Sequence, residues 1–485
     1  MEENKPSSNT KGILISCIVL LVVVGLCLGV LFLAGVGVSI FSPFEIFPKS
    51  SPEPLPSPIS GVPEPTSALP EPTSDLLEPT SEITKPDSKL PDQLAETIAE
   101  IESQVMQIRG LEKREPVVYT MISMEELEEI VVEDFFAEYS DKDAYQDVLV
   151  LSSLGLLPEN FDLKDFYEAL YSEQIAGFYD SETKEIYIVQ GQEFGGSEKL
   201  TYAHEFTHVL QDQVYGLEEG LGINEEACEQ DSERCAAVQA LIEGDASQSE
   251  ILWFQTNASR EDFDDLMDMF DLLETPVLDS APPYMAADLY FPYEKGFAFV
   301  QELYDEGGYE AVDAAFLDPP VSTEQILHPE KYPDDAPMQV TLPDLTETLG
   351  DPWTLFDQNI MGEWYTFLIL NKGHDESIQL TESLAMDAAE GWGGDAYAIY
   401  LNENTDETIF IMDTRWDTVG DADEFVDAFY QYANGRWSSL SMTLSDARVW
   451  QGTNGFTAFW HDDDRTLWVM APDQDMLSTI VSEFQ

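Results

Sequence analysis

Residues 202–212 read Tyr-Ala-His-Glu-Phe-Thr-His-Val-Leu-Gln-Asp, an H-E-x-x-H pattern inside an amphipathic run. On a helix, His204 and His208 stand one turn apart on the same face, so both imidazoles can reach one metal ion. Glu205 then projects beside them toward a water on that metal, the arrangement of a zinc hydrolase. The chain has five histidines, two of them here. The plainer alternative is a pair of histidines on an exposed helix face.

Such a site needs a third ligand from a following helix and a strand ahead of the first helix to hold substrate. Downstream, residues 236–246 form a mostly apolar helical run carrying acids, where a buried carboxylate is costly unless paired or bound to metal. Glu243 is the expected ligand and Asp245 the rival, and both could instead cap or solvate the helix. Upstream, residues 176–189 have aromatic and β-branched runs either side of a polar turn, the pattern of a hairpin. Its second strand, residues 186–189, is expected to be the edge strand that holds an extended peptide.

Taken together, His204-Glu205-x-x-His208, Glu243 and the hairpin resemble the gluzincin group of zincin-like metallopeptidases. Residues 291–299, Phe-Pro-Tyr-Glu-Lys-Gly-Phe-Ala-Phe, are similar to the P-Y-E-K-G segment of the aminopeptidase N-like gluzincins. That resemblance implies that the Tyr293 hydroxyl stabilises the tetrahedral intermediate. Two departures stand out: 34 residues separate His208 from Glu243, a longer gap than in that group, and no G-x-M-E-N peptide-anchoring motif is present. The resemblance covers roughly residues 175–305 and implies the superfamily, not aminopeptidase specificity.

The elements that must carry this site follow from composition. Residues 1–11 are short and polar, and residues 12–41 are an uncharged, mostly apolar run long enough to span a bilayer. Lys5 and Lys11 precede the run and Glu45 follows it, so the positive-inside rule predicts a cytoplasmic N-terminus, a single-pass signal anchor at the cell membrane and an extracellular remainder. A cleaved signal peptide would have a shorter apolar region ending in an A-x-A-like site. Residues 42–92 are rich in Pro, Ser, Thr and Glu, with Pro-Thr-Ser recurring from Pro65, Pro72 and Pro79, which describes an extended linker.

Residues 93–345 are expected to form a zincin-like catalytic domain, mostly helical with an edge-strand hairpin. Helical periodicity over 94–108, 124–139 and 145–157 leads up to the hairpin, and 263–273 and 293–304 follow it. Residues 346–485 read as a small α+β module: helices over 353–370, 377–390, 421–432 and 473–484, with strands at 396–400, 408–412 and 466–470. The expected fold class is therefore α+β, with both parts behind an N-terminal transmembrane helix. His328, in the Pro-punctuated stretch 319–332, could donate to an oxyanion or simply sit at a helix end with its ring satisfied by backbone. Cys17 and Cys27 fall in the apolar run, which leaves Cys228 and Cys235 to pair as a disulfide bracing the insertion between His208 and Glu243.

The 95 acidic residues against 21 basic ones give a net charge of −74, which excludes ordinary nucleic-acid binding. The expected activity is zinc-assisted hydrolysis of a peptide bond by a membrane-anchored, extracellular enzyme acting on a peptide or protein. Zinc would be held by His204, His208 and Glu243, with Glu205 as general base and Tyr293 or His328 at the oxyanion. A non-catalytic zinc-containing surface binding protein and a zinc hydrolase of a non-peptide amide are the other readings. Glu205 favours an enzyme, since a purely structural site does not need it.

Overall fold

The computed structural model describes residues 90–484 apart from 128–129, 131–138, 175–176, 190–193, 273–274 and 445. The expected tail, apolar run and nearly all of the linker lie outside the described residues, as does most of the helix expected over 124–139.

The chain is α+β. Helix α1 (Asp92–Arg109) is followed by β1 (Val118–Ile122), α2 (Asp141–Leu154) and α3 (Leu163–Gln174). Strands β2 (Gly177–Asp180) and β3 (Glu185–Val189) form the hairpin, and α4 (Gly196–Tyr215) carries the H-E-x-x-H pattern. Next come α5 (Glu225–Gln230), α6 (Ser232–Asn257), α7 (Arg260–Leu272), α8 (Pro283–Gly307), α9 (Tyr309–Leu317) and α10 (Thr323–Leu327). The hairpin belongs to a three-stranded sheet in the order β1-β3-β2, with β1 parallel to β3 and β2 antiparallel to it. Strand β3 is thus the central strand. The expectation that residues 186–189 offer a free edge is corrected here, because β1 pairs one side of β3 and β2 the other, leaving β2 as the edge nearest α4. Ile186, Ile188, Ala203, Phe206, Leu210 and Trp253 share the core that seats this sheet on α4.

In the C-terminal part a strand stands where a helix was expected. Strand β4 (Trp353–Asn359) precedes α11 (Gly362–Asn371) and α12 (Glu382–Ala389). Then follow β5 (Trp392–Asn402), β6 (Thr408–Trp416), α13 (Val419–Arg436), β7 (Ser438–Leu444), β8 (Ala447–Gln451), β9 (Phe456–Asp462), β10 (Arg465–Ala471) and α14 (Gln474–Glu483). The seven strands make one antiparallel sheet, ordered β4-β5-β6-β10-β9-β8-β7.

Both faces of this sheet are buried, which explains the unbroken apolar runs of its central strands. Tyr397, Ile399, Phe410, Met412 and Trp468 join the core beneath α13, where Phe425 and Phe429 also sit. Their neighbours Ala398, Tyr400, Ile409, Ile411, Leu467 and Val469 join Leu477 and Ile480 of α14 on the opposite face. Strand β5 starts at Trp392, directly after Gly391, and carries a bulge between Trp392 and Gly394.

The architecture also departs from the expectation of a fold built behind a transmembrane helix and located at the cell membrane. Among the described residues no helix is long and apolar enough to cross a membrane. The longest, α6, shows why: it carries Glu233, Arg234, Glu243, Asp245 and Glu250 along its 26 residues. Charges at that density are excluded from a lipid-facing helix. The single-pass anchor and the extracellular placement drawn from it are therefore not supported, and residues 12–41, on which they rested, are outside the described residues.

Candidate metal centre

Helix α4 is buried along nearly its whole middle, and its polar residues His204, His208 and Gln211 fall at i, i+4 and i+7, one face of the helix. That face meets α6, where Glu243 and Glu250 stand seven residues, two turns, apart. A polar seam between two buried helices is tolerated only if its groups satisfy one another. Most of them do so in an ordered way. His204 sets Nε2 3.2 Å from Glu243 Oε2 and Nδ1 3.1 Å from Glu250 Oε2. His208 sets Nε2 3.5 Å from the same Glu243 oxygen and Nδ1 2.8 Å from Gln211 Oε1.

His204, His208 and Glu243 are the one group among the described residues whose donor atoms converge as metal ligands would, all within 4.8 Å of one another. All three are buried. The donor set of two imidazole nitrogens and a carboxylate oxygen is one that zinc takes. The Nε2 of His208 is buried without a hydrogen-bond partner of its own, as a ligand nitrogen would be. Both rings also use Nδ1 for an outer partner, which turns Nε2 toward Glu243. These residues fit a bound metal.

The electrostatics have a single source, the burial of opposite charges together. Burial works against charge on His204, but Glu250 and Glu243 outweigh it and hold the imidazole pKa well above its ordinary value. His208 is raised in the same way, burial being outweighed by Glu243. Burial also opposes the charge on Glu243, yet the two imidazoles bring its pKa below the usual carboxylate range. Glu250 behaves differently: burial dominates and its pKa is raised.

Glu205 projects to the hairpin side. Its Oε2 accepts the backbone N–H of Tyr179, 2.9 Å away on the edge strand β2, while its Oε1 is buried without a partner. Burial raises its pKa, a shift that the His208 and His204 charges oppose and do not cancel. The strand itself is clamped to α4: the Tyr179 hydroxyl donates to Asp212 Oδ2 at 2.5 Å, and Lys184 Nζ lies 2.8 Å from the same carboxylate oxygen.

Tyr293 arrives on α8, which begins ten residues before its expected start and includes Pro292. Helices α6 and α8 cross with almost no space between backbones. A Cβ added at Gly244 would lie 2.2 Å from the Gly296 carbonyl oxygen, and one added at Gly296 would lie 2.0 Å from that of Ala240. Only glycine permits this approach. Tyr293, three residues before Gly296 and hence on the same face, is brought beside His204. Its ring centroid is 6.4 Å from that of His204. Glu294 and Lys295, the middle of the P-Y-E-K-G segment, pair with each other at 2.9 Å.

His328 is placed elsewhere. It follows the short helix α10, and its Nε2 sits 2.9 Å from Glu363 Oε1 at the start of α11. Asp245, the rival third ligand, turns away from the cluster and meets Gln211 and Arg109. Cys228 and Cys235 form the expected disulfide, which joins α5 to the first turns of α6.

Sequence reasoning missed Glu250, Gln211 and Tyr179. The first two had a legible signal: each continues a helix face that carries a candidate ligand, Glu250 at Glu243+7 and Gln211 at His208+3. Tyr179 acts through its backbone, which no side-chain pattern reports.

Comparison with known proteins reaches only the second half of the molecule. The family model described as Domain of unknown function (DUF8575) matches residues 353–481, the seven-stranded sheet and its helices, and includes none of the residues gathered at the candidate metal centre. No curated protein and no solved structure matches the chain.

Proposed function

We propose that this chain is a metal-dependent hydrolase of the gluzincin type, with zinc as its metal and a peptide bond as its target. One observation carries the reading: three buried ligand side chains converge within 4.8 Å, and the residue beside the first of them, Glu205, has a buried carboxylate oxygen without a partner. His204, His208 and Glu243 would hold the metal. When bound, it would polarise the scissile carbonyl and make a water more acidic.

The chain's own residues supply the rest. Glu205 is held at Oε2 by the Tyr179 N–H, which leaves Oε1 to take the proton of the attacking water. The same carboxylate can then return that proton to the leaving nitrogen. Burial excludes bulk water, which strengthens each of these contacts. Tyr293 is the candidate donor to the oxyanion, on its position beside His204 and on the P-Y-E-K-G resemblance.

Incubation of the zinc-loaded protein with a peptide library, with and without a chelator, tests this. Chelator-sensitive cleavage is expected. No cleavage, or cleavage untouched by metal removal, would overturn the proposal.

A further inference from the structure

The two histidines are held by unlike partners. His204 meets a carboxylate directly, Glu250. His208 meets a neutral amide, Gln211, and the charges stand one and two residues further back. Resting on the metal reading above, we propose that Gln211, Asp245 and Arg109 form a positioning chain that fixes His208 as an Nε2 ligand and ties it to helix α1.

The chemistry of the amide makes the chain directional. The Gln211 side-chain nitrogen lies 3.0 Å from the Ile242 carbonyl oxygen and 2.8 Å from Asp245 Oδ2. Both neighbours are acceptors, so only the NH2 end of the amide can face them. The oxygen end is then turned to His208 Nδ1, 2.8 Å away, and because it can only accept, Nδ1 must carry the hydrogen. In the neutral ring this leaves the lone pair on Nε2, the nitrogen aimed at Glu243.

Asp245 in turn is set by Arg109, whose Nε donates to Asp245 Oδ2 at 2.9 Å and whose Nη1 donates to Asp313 Oδ1 at 2.6 Å. The guanidinium also sits 4.5 Å from the centre of the Tyr309 ring. Arg109, Gln211 and Asp245 have no solvent exposure. Arg109 is the last residue of α1, so the seating of that helix and the orientation of a metal ligand share one hydrogen-bonded path. The path also keeps a negative charge off position 211. A carboxylate there would face Asp245 and the Ile242 carbonyl with no proton to offer either.

The full chain and cobalt(II), as a probe metal with visible ligand-field bands, provide the test. Gln211→Glu should weaken cobalt affinity about 10- to 100-fold, measured by chelator competition, and shift the bands. Adding Asp245→Asn restores a donor facing an acceptor and returns the total charge to its original value. The double variant should therefore recover most of the lost affinity and the original bands, which a general loss of packing would not do. A Gln211→Glu protein with unchanged affinity and spectrum overturns the positioning role. So does a double variant no better than the single one, or a single variant that fails to fold and is not restored by the second change. Wild-type protein that takes up no cobalt or zinc overturns the metal reading itself, so the two failures are told apart.

Discussion

His204 and His328 each bring an imidazole to a buried glutamate at about the same distance, 3.2 Å to Glu243 and 2.9 Å to Glu363. The surroundings differ. Around Glu243 a second imidazole converges on the same carboxylate oxygen, and His208 Nε2 and Glu205 Oε1 are left without partners. Around Glu363 the third member of the cluster is a cation, Lys331, whose ammonium lies 3.0 Å from Asp417 and also pairs with Glu324. The first cluster has negative charge and lone pairs that a metal can use. The second already contains its cation. Glu363 also has a buried oxygen without a partner, so a histidine–carboxylate pair with an unfilled valence says little by itself, and convergence of several donors on one point says much more.

The comparison breaks most readily at Glu243. Glu243→Ala should lower metal affinity by more than the roughly 10- to 100-fold expected for an outer partner, and activity should fall with it. Metal content after dialysis is the measurement; near-wild-type content would remove Glu243 as a ligand. Glu205→Gln should leave metal content intact and lower turnover by about 10²- to 10⁴-fold, the usual loss of acid–base assistance. Tyr293→Phe removes one hydroxyl and should reduce kcat by about 10²- to 10³-fold with little change in KM, since an oxyanion contact forms mainly in the transition state.

A pH dependence sharpens the same contrast. Burial opposes charge on His204 and His208, but the neighbouring carboxylates prevail and their pKa values are raised, so metal must displace protons to bind. Apparent metal affinity should fall as pH is lowered and rise as these imidazoles deprotonate. Isothermal titration in two buffers of different ionisation enthalpy should detect proton release on binding; no release would mean that the rings are already neutral.

How much of this was legible differs between the two halves. The candidate metal ligands announced themselves because a helix repeats its faces: His204, His208 and Glu243 needed only spacing and apolar surroundings to be singled out. Residues 353–370 show the opposite case. Trp353, Phe356, Ile360 and Trp364 recur at helical spacing, yet the stretch is a strand followed by a helix, since the edge strand β4 is buried mainly at Trp353, Asp357 and Asn359. Asp357 is inward because it accepts from the Tyr397 hydroxyl at 2.7 Å, a tertiary contact no local pattern contains. Strands β7 to β9 were missed for a related reason. Trp450 and Phe459 face one core while their neighbours Val449 and Ala458 face the other, and the sheet that gives these strands two insides is assembled from distant segments. Arg109 marks the same limit, because its partner Asp245 lies 136 residues away.

The smallest expected effect belongs to His328, and it decides whether the second cluster is structural. His328→Gln should change kcat little, because its ring is engaged by Glu363 and does not join the convergent donors. A fall comparable to that of Tyr293→Phe would give His328 the oxyanion role and erase the distinction between the clusters. Stability should respond instead, by about 1–3 kcal/mol, as expected when the charged partner of the buried Glu363 carboxylate is exchanged for a neutral amide. The sign of its pH dependence follows from the pair. The hydrogen bond to Glu363 raises the His328 pKa and prevails over burial, which lowers it. A group whose folded pKa is raised contributes its full stabilisation below its unfolded value, about 6.5, and loses it as pH rises through the folded value. The stability difference between wild type and His328→Gln, measured by urea unfolding, should therefore be greatest below about pH 6.5 and narrow toward alkaline pH. A difference that widened with pH would mean that the ring is bound neutral and that the Glu363 pairing is not what holds it.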